Sequence, residues 1–138
     1  MRHLFLLLSS LCPLYIIAQK TLPTFDGIVS DKEWVNAEKF KINYEIEPGN
    51  NEPSIHETEV FITYSKTDLY VGFLAYADMK KLRSSIRNRD EGYLDDNVMI
   101  GIDTYGDGRY MISLGSNPEG NQLDLKFSSS GDTDVSYN

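Results

Sequence analysis

Apolar residues in this chain recur at every second position over short runs, and a turn interrupts each run before it grows long. Phe40, Ile42, Tyr44 and Ile46 alternate with Lys41, Asn43, Glu45 and Glu47. A strand buries one face and wets the other with that spacing, because successive side chains point to opposite sides. The same period returns where Val98, Ile100 and Ile102 alternate with Asn97, Met99, Gly101 and Asp103. Thr58 to Tyr64 is β-branched and aromatic, and Ser65-Lys66-Thr67-Asp68 separates it from the apolar run Leu69 to Ala77. These two segments are expected to pair as an antiparallel hairpin. Tyr105-Gly106-Asp107-Gly108 turns the chain and Arg109 to Ser113 returns; Asn117-Pro118-Glu119-Gly120 turns again before a strand over Gln122 to Phe127. Short strands with a turn about every eight to twelve residues specify an all-β fold, an antiparallel β-sandwich.

One short helix is expected ahead of the strands. Ser30 and Glu33 have the spacing of a capping box, and Val29 and Trp34 stand where a hydrophobic staple would close over it. With Ala37 continuing the buried side, the helix would run from about Asp31 to Glu38. Trp34 could also offer a sugar an indole face, but its place in the staple assigns it to the core. Pro48-Gly49-Asn50-Asn51-Glu52-Pro53 reads as a loop. Lys80 to Arg89 carries Lys80, Lys81, Arg83, Arg87 and Arg89, and is expected to be a solvated irregular connection or a charge-protected edge strand. Ser128 to Asn138 is polar and holds no obvious closing strand, so one sheet is expected to be incomplete and the chain to be the front part of a longer protein.

The N-terminus has the build of an export signal. Met1-Arg2-His3 is basic, Leu4 to Ile17 is apolar apart from Ser9, Ser10 and Pro13, and Ala18 offers a small residue before Gln19. The apolar run is shorter than the roughly 20 residues of a membrane span. A signal over 1–18 leaves one domain over 19–138, and an exported location: periplasmic, outer-membrane-associated or extracellular. Cys12, the only cysteine of the 138 residues, falls in the leader, so the domain has no disulfide, thiolate metal site or cysteine nucleophile. His56 is its only histidine, which excludes a His-paired zinc site. The chain sets 21 acidic residues against 13 basic ones, a poor match for nucleic acid.

Three kinds of chemistry compete for the polar residues. Asp95-Asp96, Asp103 with Asp107, and Asp132 with Asp134 supply carboxylates, and a glycosidase needs two of them across a cleft, one with its pKa raised by burial. Calcium would use the same groups as hard oxygen ligands, although Asp103-x-x-x-Asp107 lacks EF-hand spacing and equally describes a hydrated hairpin tip. Saccharide binding needs an exposed aromatic flanked by amides, acids or guanidiniums. Tyr93, between Gly92 and Leu94 and just before the acidic pair, fits best; Tyr105 and Tyr137 follow.

The order of motifs resembles the family 9 carbohydrate-binding module, in the form found at the N-terminus of secreted bacterial proteins with an uncharacterised C-terminal region. The resemblance rests on Asp26-Gly27, Glu33-Trp34-x-x-Ala37, Glu57-Thr58-Glu59-Val60 and Asp68-Leu69-Tyr70-Val71-Gly72. It continues through Arg89-Asp90, Asp95-Asp96-Asn97-Val98, Asp103-Thr104 and Asn117-Pro118-x-Gly120-x-x-x-Asp124, and covers about Thr24 to Asn138. It implies a non-catalytic β-sandwich that binds an oligo- or polysaccharide, with Tyr93 as first platform aromatic and Asn117 as hydroxyl-binding amide. The second platform aromatic would lie near or beyond Tyr137, and a structural Ca2+ ion is implied with no ligands assigned. Arg89 is either a helper at the sugar or half of an ion pair with Asp90. Met99 and Gly115 depart from the pattern, standing where an acid and an arginine are common. Those departures favour the alternative of a structural N-terminal module that packs on its own C-terminal domain or an outer-membrane domain. A third alternative is a fragment of a glycoside hydrolase acting on O-glycosyl bonds.

Overall fold

The computed structural model describes residues 21–135 except Pro48. The proposed signal and Tyr137 lie outside the described residues. Among the described residues, seven strands form two antiparallel sheets. The first has the order β1-β2-β3, built from β1 (Glu38–Glu45), β2 (Glu52–Tyr64) and β3 (Leu69–Ala75). The second has the order β4-β5-β6-β7, built from β4 (Val98–Ile102), β5 (Tyr110–Ser116), β6 (Gln122–Ser128) and β7 (Thr133–Asp134). The all-β antiparallel architecture expected from the alternation is therefore present, and two such sheets are what a β-sandwich is made of.

Register explains which residues share a face. Phe40 pairs with Val60 and Val60 with Phe73, while Ile62 pairs with Val71, so one face of the first sheet is apolar across three strands. The opposite face carries Lys39, Phe61 and Gly72 in a row. Trp34 lies edge-on against Phe61, with ring centroids 6.0 Å apart, and is 6% exposed. Its ring sits so close over Gly72 that a Cβ there would stand 2.9 Å from Cζ2. Glycine is required at that position because the indole takes the side-chain space. Phe25 stacks on Tyr70 at 5.3 Å and continues the cover over this face. The indole N–H of Trp34 has no partner among the described residues, so packing rather than hydrogen bonding holds the ring.

The helix expected over Asp31–Glu38 is not there. Ser30 Oγ does reach Glu33 Oε2 at 3.2 Å, and Trp34 N–H donates to Ser30 O at 3.1 Å. Ala37 N–H then bonds only three residues back, and β1 begins at Glu38. The capping pair thus closes a single turn. Nucleating a helix fixes several residues for one bond, and β1 takes the chain before any further bonds repay that cost.

The β1–β2 connection is shorter than the expected loop, since Glu52 and Pro53 already pair with Glu45 and Tyr44. Asn50 and Asn51 make the reversal with φ of 52° and 65°, a left-handed backbone that asparagine tolerates. The polar stretch after Ser128 contains a strand after all, because β7 adds to β6 through Lys126–Asp134 and Phe127–Thr133. The basic connection from Lys80 to Arg89 is irregular, one of the two forms expected for it.

Candidate binding site

Between β3 and β4 the chain makes a long excursion, and its second half holds Arg89, Tyr93 and the Asp95–Asp96 pair. A 3-10 turn, Gly92–Leu94, presents Tyr93 with its side 51% exposed. Gly92 itself is buried, and a Cβ on it would stand 3.4 Å from the Asn117 amide and 3.6 Å from Leu123. The turn is thus seated on β6 and on the β5–β6 connection. Asp95 N–H closes it onto Gly92 O at 3.0 Å.

Asp95 anchors the excursion from inside. Its carboxylate, only 8% exposed, accepts from Ser85 N–H at 3.1 Å, Ser85 Oγ at 2.8 Å and Asn117 Nδ2 at 3.2 Å, with Arg87 Nε 3.5 Å away. These donors stabilise the ionised form, the Ser85 side chain first, and hold the Asp95 pKa below the usual carboxylate value. Asn97 Nδ2 donates to Asp95 O at 2.9 Å and to Tyr93 O at 3.4 Å, tying the exit of the turn to β4.

Asn117 does not face outward as the resemblance implied. It is 4% exposed, its Nδ2 donates to Ser85 O at 3.0 Å as well as to Asp95, and its Oδ1 accepts from Glu119 N–H at 3.1 Å and Asn121 N–H at 2.9 Å. Both amide hydrogens and both oxygen lone pairs are committed within the protein, so nothing is left for a sugar hydroxyl. The amide ties the Asn117-Pro118-Glu119-Gly120 turn to the Tyr93 excursion.

Arg89 has a mixed role. Its Nε donates to Asp124 Oδ1 at 2.8 Å and its Nη2 to Asp124 Oδ2, a two-pronged pair in which the carboxylate is buried and the guanidinium half exposed. The ion-pair alternative was placed on Asp90, whose carboxylate lies 3.7 Å from Nε. The closer partner is Asp124, 35 residues along the chain. Asp90 instead turns back at φ 64° and accepts Asp124 N–H at 2.8 Å, while its own N–H donates to Gln122 O at 3.0 Å. Arg89 hydrogen bonding pulls the Asp124 pKa below its ordinary value, and the same contact raises that of Arg89. Nη1 of Arg89 has no protein partner among the described residues.

Met99 and Gly115, the two departures, face each other across β4 and β5. A Cβ on Gly115 would stand 2.4 Å from Val98 O and 2.6 Å from Met99 Cγ, so Met99 fills the space that an arginine at position 115 would need. The two residues act as one packing unit. Comparison with family models, curated proteins and solved structures finds no match. The site is therefore characterised by its own geometry.

The acid clusters do not assemble into a metal site. Among the described residues no group of three or more His, Cys, Asp or Glu is placed to hold an ion. Asp103 spends its oxygens on the N–H groups of Tyr105 at 3.1 Å, Gly106 at 2.7 Å and Gly108 at 2.8 Å, and these bonds lower its pKa, that from Gly108 most. Asp107 accepts from Arg109 N–H at 3.0 Å. This hairpin tip holds itself closed with its carboxylates, which does not fit a Ca2+ loop. Tyr105 stands exposed on the tip, on a different loop from Tyr93.

Sequence reasoning missed Ser85 and Asp124, the two groups on which the excursion hangs. Asp124 appeared only as one position of a motif, and its partner lies too far along the chain for spacing to reveal. Ser85 carried no signal at all.

Proposed function

We propose that this chain is an exported, non-catalytic carbohydrate-binding domain of a polysaccharide-utilising protein, and that Tyr93 is the platform on which a saccharide ring stacks. The carrying observation is that Tyr93 is half exposed on a turn whose neighbours on both sides are locked by buried hydrogen bonds. A sugar C–H face gains most from a ring already held in place, since little side-chain or loop freedom is lost on binding. Arg89, held on one edge by Asp124, keeps Nη1 to orient a hydroxyl. Asn117 contributes by holding the loop and makes no contact with the ligand. Titration of the chain with cello- and xylo-oligosaccharides, beside Tyr93→Ala, tests the proposal. The expected loss on substitution is about tenfold in affinity, with no change in melting; equal binding by the variant would overturn it.

A structural module is the second reading, and one observation favours it. Phe40, Ile42 and Tyr44 on β1 are all exposed although they alternate as a core face would. Such a row is suited to packing against another domain. A well-folded chain that binds none of the oligosaccharides would select this reading.

A further inference from the structure

A cavity of about 530 Å3 opens between the two sheets, and Tyr93 is not among the residues that line it. Thr58 of β2 with Phe73 and Ala75 of β3 supply one wall, and Val98 of β4 with Ser116 of β5 the other. The start of the excursion closes the third side with Tyr76, Met79 and Leu82. Its volume falls within the range of small-molecule sites, and apolar surface predominates in a lining that also holds polar side chains, Asn117 and His56 among them.

We infer that this cavity is a binding site for a neutral, hydroxylated aromatic compound of one or two rings, a phenol in the simplest case. This goes beyond the saccharide proposal and does not depend on it. Three observations select the ligand class. First, Phe73, Tyr76 and Met79 offer ring and thioether surfaces, which match a flat ring better than a branched chain. Second, the lining carries both signs of charge, Asp78 and Asp96 with Lys81, beside His56, so no one sign of ion is selected. Burying an ion against the apolar remainder costs far more than burying a neutral group, so a neutral ligand is favoured. Third, hydrogen-bonding capacity remains for a hydroxyl. Asn97 uses its Nδ2 on Tyr93 O and Asp95 O, while its side-chain carbonyl and the Thr58 hydroxyl have no partner among the described residues. Tyr76 and Met79 are exposed at the mouth, and the flexible thioether can close over a bound ring.

The test uses 2-naphthol as probe, titrated into the full chain by calorimetry. Saturable one-to-one binding is expected, with 2-naphthoate and 2-naphthylmethylammonium each at least about tenfold weaker. Ala75→Phe fills the cavity from an exposed strand end and should weaken 2-naphthol by at least about tenfold, while Tyr93→Ala should bind it as the parent does. Ala77→Phe, placed on the irregular connection outside the sheet ladder, serves the same purpose if the strand variant fails to fold. The inference is overturned if the parent shows no saturable binding, if either ion binds as well as the neutral probe, or if a folded cavity-filling variant binds unchanged. Loss of naphthol binding in Tyr93→Ala would also overturn it, because the ligand would then belong to the other site.

Discussion

Replacing Asn117 by alanine separates a ligand-contacting amide from one that holds the site together. The substitution removes donations to Ser85 O and Asp95 and acceptances from the N–H groups of Glu119 and Asn121. Asp95 keeps both Ser85 donors, and Glu119 is exposed, so its freed N–H regains water. Ser85 O is part-buried and loses the amide, and the vacated volume lies in a site only 4% exposed. Ser85 O and the Asn121 N–H, both orphaned and part-buried, together with a small void cost about 2–3 kcal/mol. At a urea slope of about 1.5 kcal/mol per molar, the midpoint should fall by roughly 1.3–2 M. Trp34, the only tryptophan and fully packed, reports unfolding by its fluorescence. Asn117→Asp should be no milder, because a second carboxylate would then stand beside Asp95. If Asn117→Ala left the urea midpoint in place yet abolished oligosaccharide binding, the structural assignment would be wrong and the amide would be a ligand contact.

Three further outcomes are expected. The folded-state pKa values of Asp95 and Asp124 lie below the ordinary aspartate value of 3.8, so the unfolded chain takes up protons first as pH falls. Their contribution is fully present above that value and is lost as pH drops through the folded pKa; urea midpoints measured from pH 7 down to pH 2 should be level and then decline. Asp124→Asn should lower the level part and flatten the decline, and an unchanged acid limb would refute its pairing with Arg89 as a source. Gly72→Val forces a Cβ to within 2.9 Å of Trp34 and 3.2 Å of Val29. Overpacking of that kind costs about 1–3 kcal/mol, visible as a lower midpoint and an altered near-ultraviolet signal from Trp34; an unchanged midpoint would show that the indole does not rest there. Tyr93→Ala, by contrast, should change the unfolding free energy by less than about 0.5 kcal/mol, as for other exposed positions, and a larger drop would mean that the ring is structural.

The difference between what was readable and what was not follows from the range of the interactions involved. Strand alternation is written residue by residue, so β1, β3, β4 and β6 were legible to within a few positions, whereas β2 begins at Glu52, six residues before its expected start. The closeness of Ser30 and Glu33 was also legible, but the bond they make joins the two side chains and not the backbone N–H groups that a capping box satisfies. Helix length was not, because it depends on how soon β1 captures the chain. Asn117 illustrates a signal with two meanings: an asparagine opening an Asn-Pro-x-Gly turn uses its side-chain oxygen on the backbone two residues on, which is what Oδ1 does with Glu119 N–H. Local turn chemistry was a better guide there than the resemblance. The Arg89–Asp124 pair and the Ser85–Asp95 bonds join distant segments that no spacing brings together, yet they decide how firmly Tyr93 is presented. A ring on a loose loop and a ring on a pinned turn have the same sequence neighbourhood, and only the pinned one loses little entropy when a ligand settles on it.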